Sequence, residues 1–287
     1  MTQSSMSPDG HDDLIIPEQP GAPFRAEARR VAAGRGARWL AEGWQLFRHT
    51  PWRWMLLLLI SSTLYLLSSV TQPLGTLLSM LLGPLLTAGL MSFAHQADRQ
   101  DDARIGRLFD GFRQHAGRLL TLGLLYMLLV LAALLVTLVV AGLLVGAGLL
   151  PEAGSVQELT EGQFAIATGL LLLFLALFLP VGMAYWFAPM LVFFSGLKPT
   201  QALKASLMAS LRNWRPLLVY SLVLAAVGLL VLLALSALAA LWKATGASLA
   251  LLALIVPLMM VGGLALYALL TATFYQSFKD FFGPSDS

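Results

Sequence analysis

Six stretches of the chain are too apolar for too long to face water: residues 54–70, 73–94, 119–150, 164–194, 217–242 and 247–273. About 20 residues of helix cross a hydrocarbon core roughly 30 Å thick, so six transmembrane helices are expected and the fold class is an all-α polytopic bundle. The third and fourth stretches would each make about 48 Å of helix, too long for an upright span, and must tilt, kink or project. Composition supports the same class: 58% of the 287 residues are hydrophobic and 11% are charged, with a mean hydropathy of +0.78. Both a disordered chain and a single water-exposed core are excluded.

Charge distribution orients the bundle. Of the 18 Lys and Arg residues, all but Lys243 fall up to Arg53, in the connections 94–119 and 194–217, or at Lys279. The loop 151–163 on the opposite side carries Glu152, Glu158 and Glu161 without any base. Positive charge stays inside, so both termini are expected in the cytoplasm of a bacterial inner membrane. Trp39, Trp44, Trp52, Trp54 and Trp214 fall at the inferred cytoplasmic interface and Trp242 at the outer one, whereas Trp186 fits neither belt. Residues 1–33, with Pro8, Pro17, Pro20 and Pro23, read as a disordered cytoplasmic tail, 34–283 as the membrane domain and 284–287 as a C-terminal tail. No apolar segment occurs early enough for a secretory signal, so the start of the chain is expected to remain uncleaved.

Each cytoplasmic segment leading into an outward-going helix contains an amphipathic stretch, a basic residue near Pro or Gly, and then an apolar run: GWQLFRHTPWRWMLLLL, DGFRQHAGRLLTLGLL and ASLRNWRPLLVYSL. This predicts three parallel repeats of an interfacial helix plus a transmembrane hairpin. In the first copy Leu40, Trp44 and Phe47 form the apolar stripe and Arg38, Gln45 and Arg48 the wet face. In the second the stripe is Ile105, Leu108, Phe109 and Phe112; Arg104, Arg107, Asp110 and Arg113 lie elsewhere, and Asp101 or Asp102 can cap. In the third Thr200 caps, and Leu203, Leu207 and Trp214 oppose Lys204 and Arg212. Candidate contacts to anionic phospholipid headgroups are therefore Arg48, Arg104, Arg107, Arg113, Lys204 and Arg212, each worth about 1 kcal/mol when well placed. The competing explanation is that these elements only cap the bundle.

Two features lie inside the spans. Gly75, Ser79, Gly83 and Thr87 recur every four residues and offer close helix approach within the monomer, a pattern repeated once at Gly142 and Gly146. In LPVGMAYWFAP, Pro180 and Pro189 remove two backbone donors while Tyr185 and Trp186 bring polar tips to depth. That makes either a cavity or a bend that lets an overlong helix fit.

What is absent narrows function further. No Asp, Glu, Lys, Arg or His falls inside a span, which disfavours proton- or ion-coupled transport. His11, His49, His95 and His115 lie in the tail or at cytoplasmic junctions, and His95 with Asp98 and Asp102 reads as a solvated helix face. There is no cysteine, which removes disulfides, thiolate chemistry and Cys-ligated metal. No GxSxG, HExxH or phosphate loop occurs, so no catalytic residue, metal or cofactor is assigned and the chain is not expected to be an enzyme. The basic pI of about 9.4 comes from cations scattered beside apolar runs, which argues against nucleic acid as a partner.

The pieces GWQLFRHTP, GPLLTAGLM, LFDGFR, AYWFAPMLVF, LRNWRPLLVY and YQSFKDFFG give the chain from residue 37 to 283 a resemblance to a family of uncharacterised proteobacterial multi-pass inner-membrane proteins, here called the BPSS type. The resemblance implies an all-helical inner-membrane protein and no activity. The proline-rich start departs from the shared pattern. More distantly, the layout of hairpins with interfacial helices resembles the membrane domain found on some glycerophosphodiester phosphodiesterases, at the level of fold alone. The function these features suggest is non-enzymatic organisation of lipid or partner proteins at the cytoplasmic face; the alternative is a permease or flippase-like carrier for an apolar or lipidic solute.

Overall fold

The computed structural model describes residues 24–69, 74–100, 102–151, 160–246 and 248–283. Most of the expected tail (1–23), Asp101, Glu152, Glu158, His11 and the C-terminal 284–287 lie outside the described residues. Every regular element among the described residues is helical. In order they are α1 (Arg35–His49), α2 (Pro51–Ser69), α3 (Leu74–Asp98), a 3-10 turn (Ile105–Phe109) running into α4 (Asp110–Arg113), α5 (Ala116–Gly146), α6 (Glu161–Trp186), α7 (Ala188–Ser195), α8 (Pro199–Arg212), α9 (Trp214–Ala244) and α10 (Leu249–Phe282).

Five helical units are long and apolar enough to cross a membrane: α3, α5, α6 with α7, α9 and α10. The first of the six expected spans falls in α2, whose side chains are described as far as Leu67. Its apolar run is interrupted by hydroxyls, and Ser61 and Thr63 donate back to the carbonyls of Leu57 and Leu59. The last helix, by contrast, runs well past residue 273. Its final turns bury Tyr275, Phe278, Phe281 and Phe282 and leave Lys279 exposed, so tertiary packing extends it beyond the purely apolar stretch.

Most burial lies at one end of the bundle, with Ala133 and Ile255 buried apart from it. There the ends of α3, α6, α7 and α10 meet α1, the 3-10 turn, α4 and α8 around Trp39, Trp54, Phe93, Phe187 and Phe278. Towards the other end the helices separate: no residue in the most apolar stretch of α6 or α9 is buried. Gly142 and Gly146, expected to pack within the monomer, meet nothing within 4 Å. Surfaces this apolar are stable only where acyl chains or other apolar groups surround them.

The three interfacial elements differ from their expected faces, each for a packing reason. Helix α1 buries Gly36, Trp39, Gly43, Leu46 and Phe47, while Trp44 points outward. The second stretch is no continuous amphipathic helix but a 3-10 turn and one α turn. Asp102 ion-pairs with Arg53 instead of capping (2.6 Å), and Asp110, placed on the wet face by its position, is only 5% exposed. In α8 the buried face consists of small residues, Ala202, Ser206, Ala209 and Ser210, which let it approach α6 and α7 closely, and Trp214 is exposed. Thr200 lies inside the first turn of α8, after Lys198 and Pro199.

The described part of the proline-rich start is also ordered by contacts. Phe24 and Ala26 are buried, the amides of Arg25 and Arg29 donate to the carbonyls of Phe282 and Phe281, and Val31 N donates to Asn213 Oδ1 (2.9 Å). Residues 24–33 thus form a strap between the end of α10 and the α8–α9 junction. Its low intrinsic apolarity is offset by backbone bonds to partners about 180 to 250 residues away, which local composition does not reveal.

Candidate functional site

Four charged or polar nodes hold the packed end together. At the first, Asp280 accepts from Arg35 Nε (2.6 Å), Arg35 Nη2 (2.8 Å) and Trp39 Nε1 (2.6 Å), while Arg29 donates to the Asp280 carbonyl. Arg35 also pairs with Glu42 at 2.9 Å. The hydrogen bond that Arg35 donates to Asp280 raises the Arg35 pKa further above its ordinary range, with Glu42 acting in the same direction against partial burial. Two glycines bring α1 close enough for this clamp: a Cβ at Gly36 would lie 2.2 Å from the Pro216 carbonyl oxygen, and one at Gly43 would lie 2.5 Å from the Thr273 methyl.

At the second node Ser92 Oγ donates to Asp110 Oδ2 (2.6 Å) and Arg107 donates to the same oxygen (3.1 Å). Here α3 and the 3-10 turn touch backbone to backbone, because Gly89 faces the Leu108 carbonyl and Gly111 faces that of Leu85. The third node joins α3 to α10. Lys279 donates to Asp98 (2.6 Å), Tyr275 donates to the same carboxylate (3.2 Å), and the Tyr275 oxygen lies 2.9 Å from His95 Nδ1. His95, read from sequence as part of a solvated face, instead sits among the rings of Phe24, Phe194 and Tyr275. The fourth is a bridge from Arg118 to the carbonyl of Gly196 (2.6 Å), a residue that ends α7 in the left-handed conformation (φ 62°) suited to glycine.

These links bring the four basic segments of the chain onto one end of the bundle, with Lys243 at the far end of α9. Of the candidate headgroup contacts, Arg107 is engaged by Asp110 and Gln96. Arg48, Arg104, Arg113, Lys204 and Arg212 are exposed and make no ion pair among the described residues. No group of three His, Cys, Asp or Glu side chains comes together among the described residues, so no metal centre is assigned.

The fourth span breaks at Phe187, between α6 and α7. Pro189 stands at the start of α7, where its fixed φ and missing N–H are tolerated. The opened helical bond is closed by a neighbour: Phe187 N donates to Ser206 Oγ (2.9 Å), which donates to the Met183 carbonyl (2.8 Å), with Ser210 3.4 Å from the same carbonyl. A hydroxyl inserted into the ladder makes a fixed kink. Ser206→Ala should therefore strand a buried N–H and carbonyl and lower unfolding stability by about 1–3 kcal/mol. Thermal unfolding in mild detergent measures this, and an unchanged midpoint would show that the bridge is dispensable. Pro180 lies within α6 without interrupting it.

The two aromatic candidates separate. Trp186 is 45% exposed and packs edge-on against Phe274 (5.4 Å). Tyr185 turns inward and stacks on Tyr126 at 4.0 Å, and a Cβ placed on Gly83 would lie 3.4 Å from the Tyr185 hydroxyl and 3.5 Å from that of Tyr65. Tyr65, Tyr126 and Tyr185 thus gather hydroxyls where α2, α3, α5 and α6 meet.

Sequence reasoning missed Asp280 and Ser206, and placed Trp39 only in the interfacial belt, whereas it is fully buried. Asp280 left a signal, being the sole acid in the aromatic ending FYQSFKDFF; Ser206 left none, since its role depends on a break in another helix.

A family model described as a domain of unknown function (DUF7847) matches residues 52–282. A protein of Burkholderia thailandensis named "probable inner membrane protein" is 32% identical over 260 residues, which cover 88% of this chain and 93% of the relative. No solved structure matches. The family match runs from the start of α2 to the end of α10, taking in every helix except α1, and with the relative's near full-length coverage it places the chain in the DUF7847 family, whose function is unknown.

Proposed function

We propose that this protein is a non-enzymatic organiser of anionic phospholipid, or of partner proteins, at the cytoplasmic face of a bacterial inner membrane. Six crossings put both termini inside, with α2 as the first span and three hairpins each led by an interfacial element. The observation that carries this reading is the division of the molecule. One end is tightly packed and rimmed by exposed cations lacking acidic partners, and the other consists of separated apolar helices. Bases held at the headgroup level attract anionic lipid through the surface potential, and a rigid layer keeps them in fixed relative positions. The name of the Burkholderia relative, an inner membrane protein, supports the location.

The carrier reading draws on the tyrosine hydroxyls gathered around Gly83, a polar point within apolar helices. One reconstitution separates the two. Full-length protein in phosphatidylcholine liposomes containing phosphatidylglycerol should enrich phosphatidylglycerol among its bound lipids without accelerating transbilayer movement of a headgroup-labelled lipid. Acceleration above protein-free liposomes would replace the organiser with the carrier, and bound lipid matching the bulk composition would end the organiser reading.

A further inference from the structure

We propose that the cleft between the strap and the α8–α9 junction binds a phosphate group carried by an anionic phospholipid. This rests on the cationic end facing lipid and names the place where one headgroup is held. The cleft has a volume of about 450 Å³, within the range of small-ligand sites, and is lined by Arg30, Arg212, Trp214 and Arg215 with Val31 and Leu211. No carboxylate lines it. Elsewhere on this end Arg35, Arg53, Arg107 and Lys279 each face an acid, whereas Arg30, Arg212 and Arg215 make no ion pair among the described residues. Three guanidinium groups around one cleft repel each other, and an anion is the ligand that reverses that repulsion.

Asn213 builds the site. Its Oδ1 accepts from Val31 N, and its Nδ2 donates to the carbonyls of Arg29 and Ala209 (both 3.1 Å), which pins the strap bearing Arg30 to the junction bearing Arg212 and Arg215. With its side chain so engaged, Asn213 provides no side-chain cap to α9, whose positive end adds to the field of the three arginines. The lipid origin of the phosphate follows from what continues below it. Trp214, Leu218 and Leu222 are exposed at four-residue spacing on one face of α9, and offer a track for an acyl chain leading away from the cleft. A free phosphate would have no use for such a track.

The test uses the full chain in phosphatidylcholine nanodiscs doped with phosphatidylglycerol, with retained lipid counted by native mass spectrometry. The triple variant Arg30→Gln, Arg212→Gln, Arg215→Gln should weaken phosphatidylglycerol retention roughly 100-fold, at about fivefold for each base. A charge-matched control, Arg38→Gln, Arg99→Gln, Lys198→Gln, should retain it as the natural chain does. All six side chains are exposed, so both variants should keep the natural unfolding midpoint. Equal loss in both triples would overturn the cleft while leaving general charge attraction, and with it the proposed function, standing. Retention in the cleft triple would overturn the cleft alone. Full displacement of the lipid by inorganic phosphate at matched concentration would overturn the lipid assignment. Failure of the natural chain to enrich phosphatidylglycerol at all would instead count against the organiser itself.

Discussion

Replacing Asp280 by alanine is expected to release α1 from the bundle and lower unfolding stability by roughly 3–5 kcal/mol, the usual cost of removing one partner from a buried ion pair. The side chain is 12% exposed and accepts from both Arg35 and Trp39. Its loss leaves a guanidinium without its main counter-charge, and it leaves the Nε1 of a fully buried indole without an acceptor. Asp280→Asn keeps an acceptor for Trp39 but not the charge, so its cost should fall between those of the natural chain and the alanine variant. The thermal midpoint in mild detergent reads the stability, and limited proteolysis between α1 and α2 reads the release. A midpoint unchanged in Asp280→Ala would mean that the aromatic contacts of Trp39 with Tyr220 and Phe281, both at 5.5 Å, hold α1 without the carboxylate.

The second large effect belongs to Gly89. A Cβ there would stand 1.8 Å from the Leu108 carbonyl oxygen, and the obstacle is backbone, which no rotamer change can clear. Gly89→Ala should therefore force α3 and the 3-10 turn apart and cost about 3 kcal/mol or more, at the upper end of overpacking effects. Gly142→Ala is the matched control. Nothing lies within 4 Å of that position, and alanine is the better helix former by about 1 kcal/mol, so the variant should be neutral or slightly stabilised. Equal costs for the two substitutions would show that the close approach at Leu108 is not sustained in the folded protein.

The glycines illustrate how far pattern reading reaches in a chain of this kind. The strip Gly75, Ser79, Gly83 and Thr87 and the pair Gly142 and Gly146 carry the same small-residue spacing, yet Gly83 meets the hydroxyls of Tyr65 and Tyr185 while Gly142 meets nothing. Gly89, Gly111 and Gly36, which take the closest approaches, belonged to no small-residue spacing that marked them. The candidate cations divide in the same manner: the acid that engages Arg107 is three residues along the chain, but its burial depends on Ser92 of another helix. Arg30 and Arg215, which join Arg212 in the cleft, become neighbours only through Asn213.

The sequence alone was sufficient for the class of protein, for the approximate extents of the long helices and for the separation of bases from apolar runs. These are one-dimensional quantities. The bilayer converts apolar length into a span, and charge density beside a span is local. Five of the six expected spans are matched by helices long and apolar enough to cross, and the expected stripes of α1 and α8 are buried only in part, with Phe47 and Leu203 packed inward and Trp44 and Trp214 exposed. Tertiary structure decided those faces, the clamp at Asp280, the kink locked by Ser206 and the strap at residues 24–33. The physical reason is the solvent: in lipid the outside of a helix is as apolar as the inside, so hydrophobic periodicity no longer says which face is buried. What singles out a buried face instead is close approach and hydrogen bonding between residues far apart in the chain, such as Arg35 and Asp280, 245 positions apart, and only the folded molecule brings these together.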